Sequence, residues 1–160
     1  MEADLLAIYL RDHLAGSRFG LELVSRLHGE NRDEPEFEPV LAQLREQIAG
    51  DRDALLDVMR RLGVSPDPVK ERLAWAAEKA GRLKLNGRLR GYSPLSRLLE
   101  LESLAMGVLG KRSMWRSLMA THGEDPRLSG VELDLLVARA DAQLAAIETL
   151  RTAAALLALR

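Results

Sequence analysis

The sequence predicts an all-α fold, a bundle of four antiparallel helices, and three observations lead to this prediction. Hydrophobic residues make up 47% of the chain but aromatic residues only 4%, and such a leucine- and alanine-rich composition favours helices over sheets. Apolar residues recur at helical spacing along four long stretches. Two short polar loops and one long connector separate these stretches. With 160 residues, the chain is predicted to form one domain, residues 1–160.

Glycine, proline and serine residues predict where the helices begin and end. Four long helices, and one short helix in the connector, are expected at 3–28, 36–62, 68–83, 94–121 and 130–159. Gly29 and Gly63 stop the first two helices. Ser93, which precedes a proline, starts the third long helix. Ser129, with Glu132 three residues later, is typical of a capping box at the start of the last helix.

The connector between the second and third long helices, residues 63–93, determines the predicted topology. Connections in helical bundles usually take about 2–8 residues, so this one is long enough to run the length of the bundle. It would then bring the third long helix in from the opposite end. The sequence therefore predicts one long crossover connection that carries the extra short helix.

Polar residues interrupt the predicted apolar stripe of every long helix. These residues are His13, Asp51, Glu102, Gln143 and Arg151. Glu102 interrupts the stripe of the third long helix, which is predicted to consist of Leu95, Leu98, Leu99, Ala105, Met106 and Leu109. Because a buried carboxylate destabilises a fold unless it is paired, each of these acids is expected to have a partner inside the bundle.

Hairpin geometry predicts those partners. In an antiparallel hairpin, residues at equal distances from the loop lie at the same level. His13 and Asp51 are equidistant from the first loop, and Glu102 and Arg151 are equidistant from the second. We therefore expect two buried pairs, His13–Asp51 and Glu102–Arg151, together with a buried Gln143, that set the register of the helices.

The helix lengths, the long crossover and the inward-facing acids together resemble the ferritin-like superfamily. Members of that superfamily hold a di-iron or di-manganese centre with one Glu from each of two helices and a Glu-x-x-His motif from each of the other two. In this chain Leu10, Ser25 and Met119 stand three residues before the three histidines, so the motif is absent. The resemblance implies the ferritin-like fold and does not carry over the activity.

Two functional interpretations follow from the polar residues. The leading one is a non-catalytic helical-bundle protein, structural or interaction-mediating, with paired buried ionic groups and no metal or other cofactor. The alternative is a divergent ferritin-like metal-binding protein or metal-dependent oxidoreductase. It would bind iron or manganese through His13, Asp51 and Glu102, a set of two carboxylates and one histidine.

Glycines inside the helices suggest a third hypothesis. A glycine in a helix costs about 1 kcal/mol relative to alanine, so Gly16 and Gly20 predict the close approach of a neighbouring helix. Small residues also follow the third long helix on the side away from its stripe, at Ser103, Gly107, Gly110 and Met114. The connector helix, or else a second copy of the chain, is expected to pack there. The third hypothesis is a small-molecule carrier with an enclosed cavity lined by Gly16, Gly20 and Met106.

Composition and charge narrow the expected partners. A net charge of −1 gives no electrostatic reason to expect nucleic acid. No apolar run approaches the ~20 residues of a membrane span, and charges within the first twelve residues exclude a signal peptide. Since cysteine is absent, a reducing compartment is acceptable. We expect a cytoplasmic protein with no membrane or nucleic-acid partner. Its protein partner is undefined, and a homodimer is one option.

A run of basic residues lies in the connector and is expected to be exposed to solvent. It consists of Lys79, Arg82, Lys84, Arg88 and Arg90.

Overall fold

The computed structural model describes residues 4–66 and 91–160, and within these ranges the protein is all-helical. The four long helices are α1 (Leu5–Glu30), α2 (Glu38–Arg61), α3 (Pro94–His122) and α4 (Leu133–Ala158). A short 3₁₀ helix, Pro126–Leu128, precedes α4. The prediction of an all-α fold with four packed helices is confirmed for these ranges. The helix expected at 68–83, and the basic run after it, lie outside the described residues.

Local sequence accounts for several of the helix ends. The side chain of Asp4 accepts a hydrogen bond from the backbone N–H of Ala7, and the side chain of Ser93 accepts one from Ser96, each at 3.1 Å. Both are N-cap interactions. At the end of α2, Gly63 adopts a φ of 74°, a left-handed conformation that glycine adopts without steric cost.

The capping box expected at Ser129 and Glu132 does not form. Glu132 is itself the N-cap residue of α4, and its side chain makes no capping hydrogen bond. Ser129 instead follows the 3₁₀ helix, and Gly130, with a φ of 81°, turns the chain toward α4. Asp125 caps the 3₁₀ helix by accepting from the N–H of Arg127 at 2.9 Å. Ser129 and Gly130 therefore belong to the tight turn before α4, although the sequence predicted that the helix would begin there.

Two clusters of buried apolar residues fill the bundle. The cluster at the end that contains the start of α1 includes Leu10, Leu14, Leu55, Met59, Trp115 and Leu118. The cluster at the end that contains the first loop includes Leu23, Leu27, Phe37, Leu41, Leu101 and Leu104. Asp51 lies between Ile48 and Leu55, and therefore between the two clusters. The core is thus divided at its middle level by a polar layer.

The buried face of α3 differs from the predicted stripe. Its buried residues are Arg97, Leu98, Leu101, Leu104, Val108, Met114, Trp115 and Leu118. By contrast, Leu99, Met106 and Leu109 are 49%, 67% and 45% exposed. The predicted stripe was wrong because α3 carries leucines on two faces, and the predicted one ends before Ser113 and Arg116. The face through Leu101 and Trp115 extends over the whole helix and buries more apolar surface.

A buried arginine joins the first loop to the start of α3. The Nε of Arg97 donates to Oδ1 of Asn31 at 2.5 Å, its Nη2 donates to Glu34 at 3.0 Å, and its Cζ lies 4.4 Å from the centre of the Phe37 ring. Asn31 is fully buried and also donates to the hydroxyl of Tyr92 at 3.0 Å. Burial is the main cause of the raised pKa of that hydroxyl. Sequence analysis did not single out this cluster.

The helices pack unevenly around the core. α3 packs most extensively against α4, and α1 against α2, while α1 also packs against α3. Contacts between α2 and α4 are sparse and include those of Asp51 with Gln143 and Arg139. Arg61, the last residue of α2, donates to the carbonyl oxygen of Ser129, which precedes α4. None of the described helices contains a stretch long and apolar enough to cross a membrane.

Candidate functional site

Asp51 is the centre of an ionic cluster that joins three helices. Its side chain is 2% exposed. Lys111 of α3 donates to Oδ2 of Asp51, and Gln143 of α4 donates to the same oxygen at 2.9 Å. Arg139 of α4 places its Nε 2.7 Å from Oδ1. The amide oxygen of Gln143 accepts from Lys111 at 2.5 Å. Oδ2 of Asp51 therefore has two hydrogen-bond donors, while Oδ1 has an ion-pair contact with Arg139 and no hydrogen bond from the described residues.

The electrostatics of this cluster are unbalanced. One carboxylate faces two cations, since Lys111 and Arg139 both contact Asp51. Burial lowers the pKa of Lys111, and the neighbouring charge of Asp51 acts in the opposite direction. Arg139 is 38% exposed, so solvent reduces the cost of its charge. Lys111 is only 16% exposed, and its charge depends on nearby anionic groups.

A partly enclosed cavity of about 260 Å³ lies beside the cluster, between α1, α2 and α3. Its wall is mainly apolar and includes Phe19, Leu23, Ile48, Leu55, Leu104, Val108 and Met114. Asp51 and Lys111 also line it, so the ionic cluster forms part of the wall. The cavity and the cluster therefore constitute one candidate site.

Glycines border this cavity on two helices. Gly16 and Gly20 of α1 lie on one side, and Gly107 and Gly110 of α3 lie on another. A Cβ built on any of the four would meet no atom of the described residues within 4 Å. Among the described residues, no neighbouring helix makes the close approach to Gly16 and Gly20 that the sequence predicts. Within that part of the chain these glycines border an open space between the helices.

Several polar groups line the cavity. The Nη1 of Arg52 donates to the carbonyl oxygen of Leu14 at 3.0 Å and to Oγ of Ser17 at 2.7 Å. Trp115 is fully buried, and its Nε1 has no hydrogen-bond acceptor among the described residues. A buried N–H without an acceptor costs about 1–3 kcal/mol. The wall therefore contains a buried donor that has no acceptor among the described residues.

His13 also lines the cavity but does not pair with Asp51 as predicted. Its ring packs edge-on against Tyr9, with the ring centroids 4.7 Å apart. Burial lowers the pKa of His13, and the charge of Asp12 partly offsets this effect. The described contacts include no ion pair between His13 and Asp51. The expected pairing was wrong because the described partners of Asp51 come from α3 and α4: Lys111 and Gln143 donate to Oδ2, and Arg139 lies beside Oδ1.

Glu102 and Arg151 face each other across α3 and α4, but at the surface. Their side chains are 45% and 32% exposed, and the nearest N–O distance is 3.9 Å. Arg151 pairs more closely with Glu148 of its own helix, at 2.6 Å, and this contact lowers the pKa of Glu148. The prediction of a buried Glu102–Arg151 pair was therefore wrong, since Glu102 lies on the outer stripe of α3.

Replacing Glu102 with alanine is expected to leave the free energy of unfolding unchanged within the error of a urea titration. Exposed ion pairs contribute little to stability because water screens them and ordering two long side chains costs entropy. A loss as large as that of a buried ion pair would contradict the exposed position of Glu102. This variant also serves as the surface control for the substitution of Asp51 considered in the Discussion.

The alternative metal site is not assembled. His13, Asp51 and Glu102 do not come together, and no group of three or more histidine and acidic side chains in the described ranges has the arrangement of a metal site. The cations Lys111 and Arg139 beside Asp51 would repel a metal ion at that carboxylate.

The cavity also differs from the one expected for a carrier. Gly16 and Gly20 line it as predicted, but Met106 does not, since it lies 67% exposed on the outer side of α3. The strip Ser103, Gly107, Gly110 and Met114, which was expected to face away from the core stripe, lines the cavity instead.

Lys111, Arg139 and Trp115 were missed by sequence reasoning. Lys111 stands between Val108 and Trp115 on the true buried face of α3. This polar interruption of a second apolar stripe was the available signal for its role. Arg139 offered no such signal, because a half-exposed arginine on a helix is ordinary.

Comparisons of this chain with known proteins found no match. No family model matches it, no curated protein matches it, and no solved structure matches it. The class of this protein is therefore defined by its own fold and site. It is an all-helical protein with a partly enclosed, mainly apolar cavity and a buried ionic cluster in the cavity wall.

Proposed function

We propose that this protein is a non-catalytic helical-bundle protein that holds a small, mainly apolar molecule in the cavity between α1, α2 and α3. The observation that carries the proposal is the set of glycines at its border: Gly16, Gly20, Gly107 and Gly110. Each costs about 1 kcal/mol relative to alanine in a helix, and no contact in the described residues requires its small size. This loss of helix stability is explained if the open space between the helices binds a molecule.

The non-catalytic part of the proposal is supported by the chemistry of the wall. Oδ2 of Asp51 accepts from Lys111 and Gln143, and Oδ1 lies 2.7 Å from the cation Arg139, so this carboxylate is a poor candidate for a general base or a metal ligand. The ring of His13, which also lines the cavity, packs against Tyr9. A site that binds without bound metal or proton transfer fits these contacts better than an oxidoreductase site.

We also propose that the four helices have the ferritin-like topology, with neighbouring helices antiparallel and one long crossover. Contacts between helices support it, because low residue numbers on one helix meet high numbers on the other. The pairs are Tyr9–Ser117, Arg26–Glu100, Arg52–Leu14, Arg112–Asp141, Gln143–Asp51 and Arg61–Ser129. α2 and α3 would then run in the same direction, and the connection between them would have to span the bundle.

Filling the cavity tests the proposed function. Octan-1-ol is the probe, titrated into the purified protein by isothermal calorimetry. We expect wild type to bind it and Gly20→Leu to bind at least tenfold more weakly, because the new side chain occupies the space. Gly20→Leu should also be at least as stable as wild type, because leucine favours helix over glycine.

Gly50→Leu is the matched control. Gly50 lies inside α2 and also has no described atom within 4 Å of a built Cβ, but it does not line the cavity. We expect it to raise stability and leave octan-1-ol binding unchanged. If wild type bound neither octan-1-ol nor octanoate, the proposed function would be refuted. Undiminished binding by a folded Gly20→Leu variant would also refute it.

A further inference from the structure

We infer that the molecule held in this cavity is a monoanionic amphiphile, an apolar chain or ring that ends in a carboxylate, with the carboxylate at Lys111 and Trp115. This inference rests on the proposed function and specifies its ligand class. The arguments for it are an inventory of donors and acceptors, the charge of the cluster, and the positions of the two donors on α3.

The inventory leaves donors without acceptors. An ammonium group has three N–H donors, and those of Lys111 that are accounted for go to Asp51 and Gln143. One N–H therefore has no acceptor in the described part of the chain. The Nε1–H of Trp115 likewise has none there. Oδ2 of Asp51 already accepts from Lys111 and Gln143. Its Oδ1 and the Nε of Arg139 make no hydrogen bond within the described ranges, but they lie 2.7 Å apart as an ion pair, which leaves the donors of Lys111 and Trp115 in excess. The partner missing from the site is thus an acceptor.

The charge of the cluster favours an acceptor that is an anion. Lys111 and Arg139 together carry one more charge than Asp51 neutralises. Lys111 is mostly buried, and a buried cation without full compensation is costly. Asp12, which also lines the cavity, is exposed, so water screens its charge. A ligand carboxylate would balance the excess charge.

The two donors can reach one carboxylate. Lys111 and Trp115 are four residues apart on α3 and both line the cavity, and side chains at this spacing lie about 5–6 Å apart at Cβ on one helix face. The rest of the wall is apolar, with Leu23, Ile48, Leu104 and Val108. A polar end at the donors and an apolar body along these side chains satisfies both parts of the cavity.

Octanoate and octan-1-ol test this inference because they have the same chain length, but octanoate ends in an anionic carboxylate and octan-1-ol in a neutral hydroxyl. We expect octanoate to bind at least tenfold more tightly at pH 7 and low salt, by calorimetry. The fluorescence of Trp115 supplies a site-specific readout in a Trp75→Phe background, which leaves Trp115 as the remaining tryptophan of the chain's two. Its emission should shift with octanoate more than with octan-1-ol.

Variants of the two donors localise the effect. Lys111→Met should lower the octanoate-to-octanol affinity ratio at least tenfold, and Trp115→Phe should lower it severalfold. Arg112→Met is the matched control, because Arg112 is the neighbouring cation, pairs with Asp141 and does not line the cavity. If Lys111→Met does not fold, Trp115→Phe still decides whether the indole donor contributes.

Each outcome distinguishes the inference from the proposed function. Equal affinities of wild type for octanoate and octan-1-ol would overturn the carboxylate and leave the apolar cavity as a binding site. An affinity ratio that Lys111→Met and Trp115→Phe both leave unchanged would also overturn it, since the anion would then bind elsewhere. Binding of neither probe would overturn both proposals.

Discussion

Replacing Asp51 with alanine is expected to lower the free energy of unfolding by about 3–5 kcal/mol, the usual result of removing one partner from a buried ion pair. The variant leaves Lys111 buried beside Arg139 with no anion between them. It also removes the acceptor for the amide of Gln143, which is 1% exposed. Urea unfolding monitored by far-ultraviolet circular dichroism measures the loss.

A double variant shows whether the loss comes from unpaired charge. Asp51→Leu combined with Lys111→Met replaces the central pair by apolar groups, a change that is often neutral or stabilising in buried sites. We expect it to recover most of the stability lost in Asp51→Ala. If the stability losses of Asp51→Leu and Lys111→Met, each measured alone, added up in the double variant, the pairing would be contradicted. An Asp51→Ala variant as stable as the surface control, Glu102→Ala, would also contradict it.

Replacing Arg97 with methionine is expected to cost about 2–4 kcal/mol. The buried amide oxygen of Asn31 would lose its charged donor, which typically costs about 1–3 kcal/mol. The stacking of the guanidinium on Phe37 would be lost as well, and such contacts contribute about 0.5–2 kcal/mol. The measurement is again urea unfolding, and the first loop should show faster amide hydrogen exchange in the folded variant.

Two further variants check the reason for that loss. Arg97→Lys keeps the charge but not the planar fork that contacts Asn31 and Glu34 together, so it should recover less than half of the stability. Glu34→Gln should have a small effect, because the side chain of Glu34 is 48% exposed. Full recovery by Arg97→Lys would show that charge alone matters and would contradict the geometric explanation.

The existence of the helices, and the residues that cap several of them, could be predicted from sequence. Ser93 caps α3 and Gly63 takes a left-handed conformation after α2, as their residue types indicate. These features depend on bonds within a few residues and on backbone sterics, which hold in any tertiary context. The cap expected at Ser129 does not form, because a 3₁₀ helix directly precedes this residue and Ser129 ends that helix.

The orientation of α3 could not be predicted, because its sequence permits two apolar faces. Leu99, Met106 and Leu109 form one face, and Leu101, Trp115 and Leu118 belong to the other. Only packing against α1 and α4 selects between them. That selection moves Glu102 to the surface and Lys111 to Asp51, so a single rotation of one helix explains both the wrong pair and the missed one.

The sequence by itself determined that glycines lie within α1 and α3, and that polar residues stand among the apolar residues of each long helix. Only the tertiary structure decided what those features mean. A glycine can serve a close contact or an open space, and the position of the neighbouring helix distinguishes the two. Around Gly16 and Gly107 the described neighbours lie more than 4 Å away from a built Cβ. The physical reason is that a cavity depends on the distances between helices, which no single helix encodes.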